Sequence, residues 1–518
     1  MEQKTRQNEN IGRQERRGSA SLLCWILPAG IGFLFCLWYI SSAACDVVYS
    51  DYIRLVDAYL PDVTNPEKFL VPDILTRIPA SFLQRLINVR LLGFSVTFDR
   101  LCAALGLFMC GIVLAFYARR ERLTGRLYFF YLAVMCVLFS LIKWEALLNG
   151  TAWAHVVSFG LFFLHYDLLD RLFQNSLSAH AGAENPIGAE NLIGPEKKQI
   201  AAAKSRRLSA LLSVLPFVIL MFAGEYIAAY SGVLILMYGW CLFRFHGENR
   251  RFYLLPFLSV LCVLVLYLIS RHFAVWEHAG ATSLGFYEAM SAEPLFLPRF
   301  FIKTFAGAVL GQETIAALIE RGFLNDGAVL LIGLFTAAAY VFALYLYFFK
   351  ARLYEKTLFP LILLLSGGMN HVLVTFSRWI FLKESYALSS RYAAQFMIGL
   401  IGILLIFALY RRETAGRMGG SCRIGGEAEG CRPCKICNGI LIAFCIFFLA
   451  GNCYTTYDEI KKAPYREENY EEMSVMLRAH REYSPEELCE RLEWKKSPAV
   501  LEHVIEILED NHLNVFRK

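Results

Sequence analysis

Long apolar runs separated by short polar segments are the feature that most constrains how this chain can fold. A helix needs about 20 mostly apolar residues to cross the roughly 30 Å hydrocarbon core of a bilayer. With 57% hydrophobic and only 19% charged residues, the chain also has too little charge to coat a soluble globule. We therefore predict an all-α polytopic membrane protein with about eleven transmembrane helices. The predicted helices are 22–44, 98–117, 127–141, 152–169, 208–223, 227–243, 252–269, 328–349, 358–376, 392–410 and 436–454.

Lysine and arginine are concentrated in alternate connections between these runs. Short cytoplasmic loops of membrane proteins carry an excess of both residues, so the basic connections predict the cytoplasmic side. The N-terminus is then cytoplasmic, and an odd number of helices places the C-terminus outside. This topology explains the net charge of +6, which implies no nucleic-acid partner. The basic segments are 1–21, 118–126, 197–207, 244–251, 350–356 and 411–417.

The chain divides into two transmembrane modules joined by a segment of low complexity. Within that segment, "GAENPIGAENLIGPE" at 182–196 is rich in Gly, Asn and Pro, a composition typical of linkers. The predicted parts are a cytoplasmic arm 1–21, an N-terminal transmembrane module 22–169 with an outer loop 45–97, a cytoplasmic linker 170–207, a C-terminal transmembrane module 208–454 with an outer loop 270–327, and an extracytoplasmic helical tail 455–518.

Both outer loops contain amphipathic patterns of helical period, which are typical of helices that lie on a bilayer surface. Such interfacial helices are predicted at 51–60, 79–94 and 297–311. In the tail, "SPEE" at 484–487 has the spacing of a capping box and predicts the start of a helix.

Most of the fifteen cysteines lie inside predicted spans, where cysteine behaves as a small hydrophobic residue. The exception is "CRPCKIC" at 431–437 with one thiol upstream, whose CxxC spacings resemble those of zinc or iron–sulfur sites. No histidine accompanies the set and its last member adjoins a predicted span, so a reduced cytoplasmic loop is favoured and no metal is assigned. The four residues are Cys422, Cys431, Cys434 and Cys437.

Ionisable residues gather near the predicted outer ends of several helices. A charge at membrane depth is costly and is often retained for function. Any single member is explained more simply as a water-facing charge at the interface, but acids and bases together on one rim indicate a polar site. The set comprises Asp46, Asp51, Lys143, Glu145, Glu225, Arg378, Lys383, Glu384 and Arg391.

The first outer loop is long and opens with an acid just past the first helix, in "SDYIR" at 50–54. In this feature and in its many spans the chain resembles the GT-C class of membrane glycosyltransferases, which take sugars from polyprenyl-phosphate carriers on the outer face. The acid in lipid-linked sugar transferases and protein mannosyltransferases of this class is commonly part of an Asp-Glu pair. Here Tyr52 follows Asp51, so that pair is absent and the choice between Asp46 and Asp51 stays open.

We therefore hypothesise an inverting glycosyltransferase that moves a sugar from a polyprenyl-phosphate donor to a cell-envelope glycan, lipid or protein. The reaction needs a general base for the acceptor hydroxyl and cations for the departing phosphate. Asp51 is the preferred base and Asp46 the reserve. A divalent cation, Mg²⁺ or Mn²⁺, could serve as a cofactor, and Glu145 could either bind it or position the acceptor. The candidates for phosphate binding are Arg54, Arg391, Lys383 and Tyr392, and those for acceptor or sugar binding are Glu145, Trp144 and Glu225.

Two other functions fit the same topology. A transporter or lipid flippase is expected to have internal repeats and broken helices, for which "LLSGGMNH" at 364–371 is the one candidate in the sequence. A polysaccharide polymerase or O-antigen ligase is expected to use arginines in a late loop, and the loop 270–327 carries the basic residues such an enzyme needs. A transporter would be expected to have charges near the middle of the membrane, whereas the outer charges lie at helix ends. We therefore favour the glycosyltransferase.

Overall fold

The structure is a computed structural model, and it describes residues 2–70, 78–184, 195–273, 280–421 and 432–517. No β-strand occurs in these ranges. Ten helices within them are long and apolar enough to cross a membrane, and the count rises to eleven if one bent pair of helices forms a single span. The prediction of an all-α multi-pass membrane protein is therefore confirmed.

Seven helices form the N-terminal part of the described chain. They are α1 (Glu2–Ala43), α2 (Asp51–Tyr59), α3 (Pro79–Leu92), α4 (Val96–Arg120), α5 (Tyr128–Phe139), α6 (Trp144–Leu148) and α7 (Trp153–Glu184). The candidate spans lie on α1, α4, α5 and α7, whereas α2 and α3 belong to the first long loop. The short helix α6 follows α5 at a break at Ser140.

Twelve helices form the C-terminal part. They are α8 (Pro195–Ala223), α9 (Ile227–Arg244), α10 (Gly247–His272), α11 (Phe286–Ala292), α12 (Phe296–Gly307), α13 (Gln312–Glu320), α14 (Asp326–Tyr345), α15 (Phe359–Arg378), α16 (Ser390–Ser421), α17 (Arg432–Arg478), α18 (Pro485–Arg491) and α19 (Pro498–Asp510). The predicted linker is partly helical, because α7 and α8 extend into it from both sides; its residues 185–194 lie outside the described ranges.

Helices α8 and α9 form two antiparallel crossings. As one continuous 43-residue helix this segment would be about 65 Å long. Ser209, near the start of this segment, nevertheless donates a hydrogen bond to the carbonyl oxygen of Phe252, several residues beyond the end of the segment, at 2.8 Å. The two ends of the segment therefore lie side by side, which one continuous helix would not allow. The chain reverses at Gly224, whose φ of 51° is a left-handed conformation that glycine adopts at little cost. These are the two spans that the sequence predicts at 208–223 and 227–243, so the ten candidate helices of the described ranges contain eleven crossings without the bent pair.

Helix α16 lies at the centre of the bundle, and 94% of its most apolar 18-residue stretch is buried. It packs closely against α15, where a Cβ on Gly367 would meet the backbone of Gly399. Helix α15 runs without interruption through 364–371. The one candidate for a broken helix in the sequence is therefore unbroken, and Gly367 serves the close packing of α15 against α16.

The bent pair of helices consists of α12 and α13, which meet at an angle of 103°. Helix α12 packs against α14, α15 and α16 and buries Phe300, Lys303 and Thr304. The segment 297–311 thus enters the bundle, whereas the sequence predicts that it lies on the bilayer surface. Its amphipathic pattern arises because one face packs against neighbouring helices.

One end of the bundle, here called the loop face, is formed by α2, α3, α6, the C-terminal half of α17, and α18 and α19. Helix α3 exposes Leu83, Ile87 and Leu91 on one side and buries Arg85 and Asn88 on the other. An outward apolar face of this kind is typical of a helix at a membrane interface. Part of the first loop, 71–77, lies outside the described ranges.

The C-terminal tail folds back onto the first loop. Helix α17 has 47 residues and continues without interruption past the end of the predicted span, and α18 begins with the predicted capping box at Ser484. Ser50 donates its backbone N–H to the Leu492 carbonyl at 2.8 Å, and Asn514 donates to that of Gly93 at 2.8 Å. Residues from the two ends of the sequence therefore build the loop face together.

Candidate functional site

A cavity lined by several polar residues opens on the loop face; its empty space of about 440 Å³ includes the solvent at its mouth. Its walls come from the first loop, α6, the start of α16, the outer part of α17 and the tail. A concave site with a few convergent polar groups is where a small ligand usually binds. The lining residues are Tyr49, Trp144, Glu145, Asn149, Arg391, Arg466, Asn469, Tyr470 and Glu493.

Glu145 and Arg391 form the charged centre of this cavity. The Nε of Arg391 donates to Glu145, whose other carboxylate oxygen accepts from Ser390 Oγ at 2.7 Å. Arg391 Nη1 lies 3.9 Å from Asp51 Oδ2. The Arg391 and Asp51 side chains are 52% and 37% exposed, so both groups are accessible to a ligand. The sequence-predicted residues Asp51, Glu145 and Arg391 are thus brought together.

Trp144 forms one wall of the cavity, and the guanidinium of Arg466 lies over its ring at 3.4 Å. Arg466 also pairs with Glu459 and Glu313, each at 2.7 Å. Because Arg466 covers one face of the indole, that face is not open for stacking on a sugar. Arg466 was not predicted, since it lies on α17 well beyond the last apolar run and only the fold brings it back to α6.

Tyr49 and Tyr470 join the first loop to α17 through a hydrogen bond of 3.0 Å between their hydroxyls. The buried Arg100 supports them, with its guanidinium 5.3 Å from the Tyr470 ring centroid. Arg100 also donates from Nε to the Leu148 carbonyl at 2.7 Å and from Nη1 to the Cys45 carbonyl at 2.6 Å. The Arg100 side chain therefore connects α17, the end of α6 and the start of the first loop, which all contribute to the cavity wall.

A buried network beneath α2 fixes the position of Asp51. The hydroxyl of Tyr52, the next residue, donates to Asp99 Oδ2 at 3.0 Å, and Arg85 pairs with the same oxygen at 2.5 Å. Asn88 donates to the other Asp99 oxygen at 3.1 Å. Burial and the nearby Asp99 carboxylate raise the pKa of the Tyr52 phenol well above its ordinary value, which keeps it a donor. Helices α2, α3 and α4 are locked together under the site.

Asp46, the reserve candidate for the base, is engaged elsewhere. Its Oδ1 accepts from the Val96 backbone at 2.6 Å and from Asn514 Nδ2 at 3.2 Å, and its Oδ2 accepts from Ser95 Oγ at 2.7 Å. A carboxylate at the first turn of a helix satisfies otherwise unpaired N–H groups. Asp46 thus fastens the start of α4 to the tail and does not line the cavity.

Asp51 is not itself a lining residue and adjoins the cavity through Arg391; the other predicted residues also lie outside the cavity lining. Glu225 pairs with His155 at 3.3 Å. Tyr392 is buried with the Arg378 guanidinium 5.4 Å from its ring centroid. Lys383 is exposed before a short 3₁₀ turn, and Arg54 is half-buried on α2.

A second charged cluster joins the bent pair to its neighbours. Arg299 pairs with Asp326 at 2.6 Å and with Glu384 at 2.7 Å, and Lys303 contacts the same two carboxylates. Two of the late-loop basic residues that a polymerase would use are therefore committed to ion pairs that hold α12 against α14.

Within the described ranges, no group of three or more His, Cys, Asp or Glu residues is arranged to hold a metal ion. The cysteine set at 422–437 falls largely outside this description: Cys422 and Cys431 lie in 422–431, and the side chain of Cys434 is likewise not described. The structure therefore assigns no ligands to a divalent cation.

Comparisons with protein-family models, curated protein sequences and solved structures gave no match. The fold itself defines the class, which is a multi-pass all-α membrane protein. Its distinguishing feature is an open cavity at one end of the bundle, where accessible carboxylates and guanidinium groups can exchange a proton and bind an anion.

Proposed function

We propose that the protein is an inverting membrane glycosyltransferase of GT-C type, which transfers a sugar from a polyprenyl-phosphate carrier to a cell-envelope acceptor. The observation that carries the proposal is the accessible Asp51 carboxylate beside Arg391, which lines the cavity. The carboxylate of Asp51 can accept the proton of the acceptor hydroxyl, and the guanidinium of Arg391 can bind the phosphate of the donor.

The proposed reaction is a single displacement. Asp51 takes the proton of the acceptor hydroxyl, and the oxygen bonds to the anomeric carbon of the sugar while the bond from that carbon to the lipid phosphate oxygen breaks. The electron pair leaves with the phosphate, whose charge Arg391 stabilises. Because attack and departure are on opposite sides of the carbon, the configuration inverts.

Arg391 has donor groups left for this task. A guanidinium carries five N–H donors, and Arg391 uses Nε for Glu145. Its Nη1 lies 3.9 Å from Asp51 Oδ2, and the Arg391 side chain is 52% exposed. Glu145 thereby orients the guanidinium, and Arg466 supplies a second cation to the cavity wall. Among the predicted phosphate ligands, the geometry supports Arg391 over Arg54, Lys383 and Tyr392.

The location of the cavity supports a lipid-linked donor on the outer face of the cell membrane. It opens where α16 begins, at Ser390, which is also the start of a candidate span. Basic segments meet at the opposite end of the bundle, where Arg412 pairs with Glu121 at 2.8 Å and Lys356 contacts Glu413. With that end in the cytoplasm, the N-terminus is cytoplasmic and the loop face is extracytoplasmic.

The bent pair of α12 and α13 favours a transporter as the second candidate function, since broken helices line the substrate sites of many transporters. The charges of α12 are nonetheless paired, as Arg299 and Lys303 both contact Asp326 and Glu384. The accessible charges lie instead in the cavity on the loop face, which supports the enzyme.

The proposal is tested with membranes that contain the wild-type protein and matched membranes without it. Radiolabelled polyprenyl-phosphate glucose, mannose and galactose are supplied with envelope extracts and short oligosaccharides as acceptors. We expect protein-dependent transfer of one sugar, with an inverted linkage in the product. Movement of the labelled lipid or sugar across vesicle membranes, with no transfer to any acceptor, would establish the transporter instead.

A further inference from the structure

Glu493 is the one carboxylate of the cavity that the tail supplies. It follows α18, and its two neighbours are buried anchors: Leu492 is 0% exposed and Trp494 is 8% exposed. The carbonyl of Leu492 accepts from the Ser50 backbone at 2.8 Å, directly before Asp51. The tail therefore holds Glu493 beside the first residue of α2.

The backbone at Glu493 has an unfavourable conformation for its residue type. Its φ is 55°, in the left-handed region that favours glycine, and a side chain there is strained. Ser50, which faces it through the Leu492 hydrogen bond, has a φ of 49°. The conformation of Glu493 ends α18 in a Schellman motif, in which the Trp494 N–H donates to the Cys489 carbonyl at 2.7 Å. Glycine is the usual residue at this position, so a glutamate there carries a conformational cost.

Glu493 is exposed as a residue, and within the described ranges its carboxylate forms no side-chain hydrogen bond or ion pair. Glu145, by contrast, is engaged by both Ser390 and Arg391. The remaining polar walls near Glu493 are the amides of Asn149 and Asn469 and the two tyrosine hydroxyls. Carboxylate, amide and hydroxyl groups around an aromatic wall match the hydrogen-bonding needs of a hydroxyl-rich molecule.

We propose that Glu493 binds the acceptor, that the acceptor is a hydroxyl-rich molecule of the carbohydrate class, and that the tail docks on the first loop to hold Glu493 in the cavity. This inference rests on the proposed function and deepens it. Glu493 is a specificity-determining residue, whereas Asp51 and Arg391 act on the reacting atoms.

The docking contacts of the tail support this role. Asn514 accepts from the Val48 backbone at 3.0 Å and donates to the Phe94 carbonyl at 3.0 Å. Arg517 donates to the Leu92 carbonyl at 3.0 Å. These bonds tie the end of the chain to both sides of α2 and α3, so the tail and the first loop are held as one unit around the cavity.

The test uses the full-length protein and three variants, Glu493→Gln, Glu493→Gly and the control Glu490→Gln, which changes an exposed glutamate of α18. Sugar transfer from the active donor to short oligosaccharides is measured at varied donor and acceptor concentrations. We expect Glu493→Gln to raise the acceptor KM by about tenfold or more, because a charged hydrogen bond is lost. The donor KM should not change, and Glu490→Gln should match the wild type.

Glu493→Gly separates binding from folding. Glycine relieves the left-handed strain, so its thermal unfolding midpoint should equal or exceed that of the wild type while the acceptor KM still rises. An unchanged acceptor KM in both variants, with an active wild type, overturns the role of Glu493 and leaves the proposed function standing. A wild type that transfers no sugar to any acceptor overturns both.

Discussion

Among single residues, Asp46 and Asp51 differ in how their carboxylates are used. Asp46 accepts three hydrogen bonds that fasten α4 and the tail, whereas Asp51 is 37% exposed beside Arg391. Asp46→Asn should destabilise the protein by about 1–2 kcal/mol, because an amide cannot accept all three bonds. Sugar transfer by the folded fraction should persist. Unfolding in detergent and transfer per folded molecule check this; lost transfer with unchanged stability would make Asp46 the base.

Ionisation of Glu493 should make acceptor binding depend on pH. Partial burial raises its pKa, the nearby carboxylates raise it further, and the nearby cations oppose this. Since the ionised form binds the acceptor, acidification should raise the acceptor KM with a midpoint above that of an ordinary glutamate. Glu493→Gln should remove this dependence, and a wild-type KM independent of pH would contradict it. The charged groups around Glu493 are Arg391, Glu145, Lys495 and Asp51.

Among helices, the close contact of α12 with α14 depends on a residue without a side chain. A Cβ on Gly333 would collide with the carbonyl oxygen of Ile302. Gly333→Ala should therefore destabilise the protein by about 1–3 kcal/mol. Gly239→Ala on α9 is the matched control, because a Cβ there meets nothing within 4 Å, and it should be neutral or slightly stabilising. Equal unfolding midpoints for the two variants would refute the tight packing of the bent pair.

The helices and part of the site were predictable from the sequence for physical reasons. A membrane-spanning helix is a continuous run of apolar residues, so its position can be predicted from the local sequence. Asp51, Glu145 and Arg391 lie next to such runs, which is why they could be predicted as site residues. Arg466 and Glu493 reach the cavity only because α17 continues as one helix beyond the predicted span and the tail turns back onto the first loop. Nothing local marks that return, and an amphipathic pattern alone did not distinguish packing in the bundle from lying on a membrane, as 297–311 shows.

For the molecule as a whole, the two ends of the bundle should face opposite compartments. A C-terminal alkaline phosphatase fusion should be active, because the proposed topology places the tail and the loop face outside the cytoplasm, whereas a fusion within 244–251 should be inactive. A fluorescent protein that matures only in the cytoplasm should give the reverse pattern. An inactive phosphatase at the C-terminus would invert the topology and place the cavity on the cytoplasmic side.

The proposed chemistry depends on Asp51, and its decisive test is sugar transfer by Asp51→Asn. The control is Asp57→Asn, an exposed aspartate on the same helix α2. Both variants should express and unfold like the wild type. We predict a loss of transfer of about 100-fold or more for Asp51→Asn, since general-base catalysis contributes on that order, and none for Asp57→Asn. Wild-type transfer by Asp51→Asn would contradict the assignment of Asp51 as the base.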